Sequence, residues 1–238
     1  IAPRVRQPER LATLRAEVTT PAVLEQVLVQ PLFDVGRVEY LSDSPDKAFD
    51  STDADSHRSS QVLRELVSEA RQEVVLQTPY LVLSRAARQT FRRLQQRESP
   101  PRVQISTNSL AATDAFPVYA LSHKYKRTYL REMRFEIHEY KPFPASAPIV
   151  LEDAEGLYMP AHFVRSESAR AFGSASRRTL LRGPLPLKTL GLRMGLHAKS
   201  MVIDGEVAVI GSHNFDPRSE HRNTEAVLLI HDATFARE

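Results

Sequence analysis

The 238-residue sequence contains no cysteine, which excludes disulfides and thiolate metal sites while fitting any redox compartment. It also lacks an H-E-x-x-H pattern, so neither a metal nor another cofactor is expected. No apolar run approaches the roughly 20 residues needed to cross a bilayer, and no signal-peptide pattern opens the chain. There is no internal repeat. Excess charge is small, with 32 basic against 29 acidic residues and a formal net charge of +3, so the field of the whole molecule is mild. Hydrophobic content of 42% and charged content of 26% fit an ordinary globular protein, long enough for one large domain or two small ones.

What is present is concentrated near the C-terminus. His197, Lys199, Asp204, Gly211, Ser212 and Asn214 read H-x-K-x4-D-x6-G-S-x-N. A histidine and a lysine two apart on an extended segment share one face. That pairs an imidazole able to attack or carry a proton with a fixed ammonium, a combination suited to a phosphodiester. Two apolar runs, Ser200–Ile203 and Val207–Ile210, are separated by Asp204-Gly205-Glu206, and Asp-Gly predicts a hairpin turn. Gly211 would let backbone approach a phosphate, and Ser212 and Asn214 could donate hydrogen bonds to its oxygens. Asp204, in the turn, reads as structural ahead of catalytic. His213 and His221 lie nearby, but without a metal-ligand pattern around them.

Charge is uneven along the chain. Asp34, Glu39, Asp43, Asp46, Asp50, Asp53 and Asp55 make residues 34–57 acidic, against Arg37 and Lys47. Residues 165–199 are the reverse: Arg165, Arg170, Arg177, Arg178, Arg182, Lys188, Arg193 and Lys199 face only Glu167. This run could draw an anionic membrane surface or a nucleic acid, or be a solvated loop. Phe172 is the only aromatic within it, which argues against stacking on nucleic-acid bases.

Residues 1–38 read as a helical linker region, with a helix from Pro21 carrying Val23, Leu24, Val27 and Leu28 and ending before Pro31. Ser42 to Ser60, rich in Asp and Ser, reads as a solvated connection. Helix and strand then alternate. A stripe of Val62, Leu63, Leu66, Val67 and Ala70 precedes a strand at 73–77, and Ser84 can cap a helix carrying Ala87, Phe91 and Leu94. A strand at 102–106, a helix from about Pro117 to Met133 and a strand through Phe135 and Ile137 follow. The order predicts an α/β fold with a mixed, largely parallel sheet sandwiched by helices. A Pro/Gly-rich insertion at 143–195 interrupts the pattern and reads as a lid, a membrane-facing loop or a surface excursion.

Further stretches extend the motif: Thr78-Pro79-Tyr80, Asn108-Ser-Leu-Ala-Ala-Thr-Asp114, Asn214-Phe-Asp-Pro-Arg-Ser219 and Asn223-Thr-Glu225. With them the chain resembles the phospholipase D superfamily, and within it the bacterial phospholipase D-type cardiolipin synthases, over about residues 39–231. The resemblance implies a phospholipase D-like domain at 39–238 with catalytic His197, Lys199, Asn214 and Glu225. It makes Glu225 the acid that hydrogen-bonds a catalytic histidine, and Lys199, Ser212 and Asn214 the holders of the substrate phosphate.

Members of that family carry two such motifs meeting at one site, whereas no other histidine here is followed by lysine two residues later. The resemblance therefore reads the chain as a C-terminal half that needs a missing N-terminal half or a homodimer partner. It implies metal-independent exchange through a phosphohistidine, with phospholipid as substrate and a bacterial location peripheral to the inner membrane. Three functions stay open: a cardiolipin synthase-like phosphatidyltransferase, a phospholipase D or nuclease hydrolysing with water, and a non-catalytic lipid-binding module.

Overall fold

The computed structural model describes residues 19–29, 32–49, 57–142 and 194–238, together with Ala12, Thr13, Arg15 and Ala16. Most of the 143–195 insertion, including its basic run up to Arg193, lies outside them, as do Asp50, Asp53 and Asp55. The N-terminal helix α1 (Pro21–Leu24) starts at the expected proline and continues as a π-helix over Glu25–Val29. The body is a seven-stranded sheet in the order β1-β7-β6-β5-β2-β3-β4. Its strands are β1 (Arg37–Ser42), β2 (Glu73–Gln77), β3 (Arg102–Asn108), β4 (Glu136–Tyr140), β5 (Ser200–Ile203), β6 (Val207–Gly211) and β7 (Ala226–His231).

The helices sit where the periodicity puts them. In α2 (Arg58–Glu69) the predicted stripe buries Leu63 and Val67. In α3 (Arg85–Gln95) Ser84 caps the first turn by accepting the Ala87 N–H at 3.0 Å, and Phe91 and Leu94 are buried. Helix α4 (Phe116–Arg131) buries Tyr129, whose hydroxyl accepts the Leu83 N–H at 3.1 Å. These three pack on one face of the sheet in a core with Val74, Leu76, Val103, Ile105 and Met201. Fully burying each such aliphatic or aromatic side chain contributes about 1.5–3 kcal/mol. On the opposite face α5 (Ala233–Arg237) forms a smaller cluster with Ala208, Ile230 and Val35.

The mixed α/β sheet is as expected, but parallel pairing is confined to β2–β3 and β3–β4. The other four pairings are antiparallel. The helical crossovers through α3 and α4 force neighbouring strands parallel. A three-residue turn instead folds β6 back on β5, the connection holding a short helix at Pro217–His221 returns β7 antiparallel to β6, and β1 closes the far edge against β7.

The acidic connection is also not uniformly solvated. Asp43, Lys47, Ser59 and Ser60 are buried, because a 3₁₀ helix at Pro45–Ala48 and the first turn of α2 fold under the sheet edge.

Candidate active site

The residues predicted as catalytic or phosphate-binding, unlike Asp204, gather at one edge of the sheet. There β1, β2, β3, β4 and β6 end and β5 and β7 begin, as the register of the pairs shows. Loops following strand ends are the usual place for α/β sites, since scaffold strands fix otherwise free side chains. His197 and Lys199 enter this edge just before β5 begins at Ser200. The Gly211 N–H donates to the Lys199 carbonyl at 3.1 Å, which extends the β5–β6 ladder one step and sets the lysine opposite the glycine.

His197 is exposed, and its ring has no hydrogen-bond partner among the described residues. The Lys199 ammonium is half-buried and donates to the His197 carbonyl at 2.9 Å. Burial pushes its pKa down, opposed by the carboxylates of Glu225, Asp114 and Asp216. These place three acids within electrostatic reach of the one ammonium. Asn214 is fixed through its backbone: its carbonyl accepts the Thr78 hydroxyl at 2.6 Å and its N–H donates to Ser219 Oγ at 3.1 Å. Among the described residues its buried Oδ1 has no partner, which leaves the amide uncommitted to the rest of the described fold.

Ser212 and Glu225 meet directly. The Ser212 hydroxyl donates to Glu225 Oε2 and accepts the Ala226 N–H at 3.0 Å. Its proton is therefore directed at the carboxylate, and a phosphate contact would need the hydroxyl to turn. Glu225 is buried, and its other oxygen takes Ser219 Oγ at 2.7 Å and Asn223 Nδ2 at 3.1 Å. No hydrogen bond joins it to His197 here.

Gly211 faces protein. A Cβ there would lie 2.3 Å from the Ala226 carbonyl oxygen and 2.8 Å from the Val227 Cα, so β7 approaches too closely for any side chain. The observed reason for glycine is strand packing; close approach to a phosphate is not what this geometry displays.

Asp204 lies at the far end of β5, roughly 15 Å from Lys199 at about 3.3 Å per extended residue. It takes a left-handed conformation (φ 55°), followed by Gly205 (φ 64°), in the three-residue Asp204-Gly205-Glu206 connection, where the Glu206 N–H donates to the Ile203 carbonyl at 2.9 Å. Its carboxylate accepts the N–H groups of Arg71, Gln72 and Glu73 at 2.7–3.1 Å, pinning the start of β2. Burial opposes the charge, but these bonds outweigh it and hold the carboxyl below its ordinary range.

Sequence reasoning missed several supports. Asn108 grips the chain immediately before His197: its Oδ1 accepts the Leu196 N–H at 2.7 Å and its Nδ2 donates to the Leu196 carbonyl at 2.9 Å. Asp114, at the other end of the same stretch, accepts the Tyr80 hydroxyl at 2.9 Å. Burial and then Asp114 push the Tyr80 pKa up to about 12. His213 is buried, with Nδ1 accepting the Phe215 N–H at 2.9 Å and Nε2 facing Ser60 Oγ at 3.0 Å. It is a satisfied core residue, lowered to about 4 by burial. Among the described residues no cluster of ligating side chains could hold a metal ion. The only cue to these supports was that Asn108, Tyr80 and Asp114 fell within recognisable stretches.

A family model described as cardiolipin synthase, phospholipase D-like domain, matches residues 165–238. Cardiolipin synthase C of Escherichia coli (strain K12) is 30% identical over 136 residues, covering 57% of this chain and 22% of that protein. An uncharacterized protein of Helicobacter pylori is 24% identical over 203 residues, covering 85% of this chain and 32% of that one. The chain thus spans only a fraction of the length of these relatives. Among solved structures, NucT from Helicobacter pylori aligns with a TM-score of 0.49 at 13% identity, over 84% of this chain and 89% of that one. Over residues 165–238 the chain is similar to the phospholipase D-like domain of cardiolipin synthases, and its similarity to cardiolipin synthase C extends over 136 residues.

Proposed function

We propose that this chain supplies one motif of a phospholipase D-type site and that the complete site acts as a cardiolipin synthase-like phosphatidyltransferase. The observation that carries the reading is the exposed His197 ring, without a hydrogen-bond partner among the described residues, next along the chain to the half-buried Lys199 ammonium, at the sheet edge that also holds Ser212 and Asn214. In the proposed reaction the histidine of a second motif attacks phosphorus, forming an N–P bond as the P–O bond to the leaving alcohol breaks. His197, in its protonated form, gives that alkoxide its proton. The incoming alcohol then loses its proton to His197 while its oxygen attacks phosphorus and the N–P bond breaks. Lys199 and the Asn214 amide stabilise the charge building on the phosphoryl oxygens.

The second motif comes from a further half of the protein or from another copy. Relatedness to cardiolipin synthase C supports phosphatidylglycerol as donor and a second phospholipid as acceptor at a bacterial membrane. No helix among the described residues is long and apolar enough to cross a membrane.

Incubating the protein, with its second motif supplied, with phosphatidylglycerol vesicles tests the reading. Cardiolipin plus glycerol is the expected product, and activity should survive exhaustive chelation. Phosphatidate plus glycerol would establish hydrolysis instead. Activity that vanishes in chelator and returns with one divalent ion would replace the phosphohistidine scheme with metal chemistry.

A further inference from the structure

The residues of the motif do not explain the most deeply buried ion pair among the described residues. Lys47 and Asp43 form an ion pair at 2.6 Å in which neither side chain has exposed surface (0%/0%). Removing two charges from water costs several kcal/mol per ion, repaid only if the remaining hydrogen-bonding capacity is satisfied. Here backbone and hydroxyl groups around the site take up most of it. The Lys47 ammonium also donates to the Ser219 carbonyl at 2.6 Å. Asp43 Oδ1 accepts the Ser59 N–H and hydroxyl at 3.0 and 2.6 Å, and Oδ2 accepts the Glu225 N–H at 3.2 Å. The Asp43 N–H in turn donates to the Glu225 carbonyl at 2.9 Å.

We infer that Lys47 and Asp43 are positioning residues for the phosphoryl-binding edge of the site. The inference rests on the functional reading above. Asp43 brackets the Glu225 backbone on both its N–H and its carbonyl, and Lys47 holds Ser219 by its carbonyl. Those two anchored residues carry the rest: Glu225 receives the Ser212 and Ser219 hydroxyls, and Ser219 Oγ receives the Asn214 N–H. Two residues of the motif, Ser212 and Asn214, therefore take their placement from a pair 165 or more positions earlier in the chain. A purely stabilising pair could be replaced by apolar side chains of similar volume with little loss. A positioning pair could not, because nothing apolar would hold Ser219 and Glu225 at a fixed distance.

The test replaces both partners at once, Asp43→Leu with Lys47→Met, so that no lone charge is left buried. Turnover of a chromogenic phosphodiester is followed in the complete active protein, alongside its thermal midpoint. The expected result is a kcat reduced about 10- to 100-fold with KM changed less than about twofold, since misplacement of transition-state contacts falls on kcat. Unchanged kcat at any thermal midpoint would reduce the pair to a structural role and overturn the inference. Should the double variant fail to fold, Ser59→Ala removes one bond to Asp43 without overpacking and is expected to lower kcat about three- to tenfold. If that variant too keeps full kcat, the inference falls. Wild-type protein inactive on every phosphodiester would defeat the functional reading alone. The pair is then judged by amide exchange in either variant that folds: faster exchange confined to residues 212–225 supports it, and unchanged exchange there rejects it.

Discussion

The His197 imidazole has no hydrogen-bond partner among the described residues, whereas most polar groups at this sheet edge are bonded to one another. Among the described residues its only hydrogen bond is through the backbone carbonyl, so replacing its ring removes chemistry and leaves those bonds intact. His197→Ala and Lys199→Ala are each expected to lower phosphodiester turnover by a factor of about 10³ or more while the thermal midpoint stays close to wild type. Steady-state assays with phospholipid and with a chromogenic diester check both. Asp204 predicts the opposite signature. It serves the N–H groups of Arg71, Gln72 and Glu73 at the entry to β2 and adopts a positive φ that Asn tolerates and Ala does not. Asp204→Ala should therefore cost about 2 kcal/mol of stability and Asp204→Asn about 1, with turnover per folded molecule unchanged; urea unfolding measures it. A large loss of turnover in Asp204→Asn would return this residue to the catalytic set.

At the scale of elements, the site is made by loops tied to strand ends. Asn108, the last residue of β3, fixes the extended segment leading to His197 with two bonds to the Leu196 backbone. Asn108→Ala is expected to lower kcat about 100-fold, because a displacement of about 1 Å can cost that much. Asn108→Asp keeps the acceptor for the Leu196 N–H but sets a carboxylate against its carbonyl, and should be no better. Wild-type kcat in Asn108→Ala would show that the segment is held by other contacts. Between β6 and β7 the contact at Gly211 leaves no room for a methyl group, so Gly211→Ala should destabilise by about 2–3 kcal/mol in a denaturant titration. The hairpin, the Ser84 cap and the stripe of α2 were legible because each depends on neighbours within a few residues. Asn108 was not, since its partner lies 88 positions away.

For the molecule as a whole, buried His213 sets one limb of the pH dependence of stability. Burial holds its pKa near 4, with Glu225, Asp43 and Asp216 opposing and Lys47 assisting, whereas the unfolded chain titrates near 6.5. Between those values the unfolded state binds more protons, so stability falls as pH falls from about 6.5 to about 4, by at most about 3 kcal/mol. His213→Gln should flatten that limb, as read from denaturant midpoints at neutral and mildly acidic pH. A second whole-molecule expectation concerns assembly. One motif offers a single histidine, while the proposed two-step exchange uses one group on phosphorus and another on the leaving proton. The purified chain is therefore expected to lose specific activity on dilution to a monomer. High, constant activity in a preparation shown to be monomeric would mean that one motif suffices.

The sequence by itself determined the local elements and the identity of the reactive groups. A period of two or 3.6, a capping serine, an Asp-Gly turn and a spaced His-Lys pair each act over a few residues, where chain geometry alone dictates the outcome. It also supported parallel strands wherever a helix intervened, and this holds for β2, β3 and β4. Only the tertiary structure decided that β5, β6, β7 and β1 pair antiparallel, that Gly211 serves strand packing, and that Asp204 supports β2 from the edge opposite the site. It likewise decided that Asp43 and Lys47, in a stretch whose composition reads as solvated, lie wholly inside. Burial of a charge depends on what distant segments bring to meet it: here Ser59, Ser219 and Glu225 supply the bonds that water would otherwise provide.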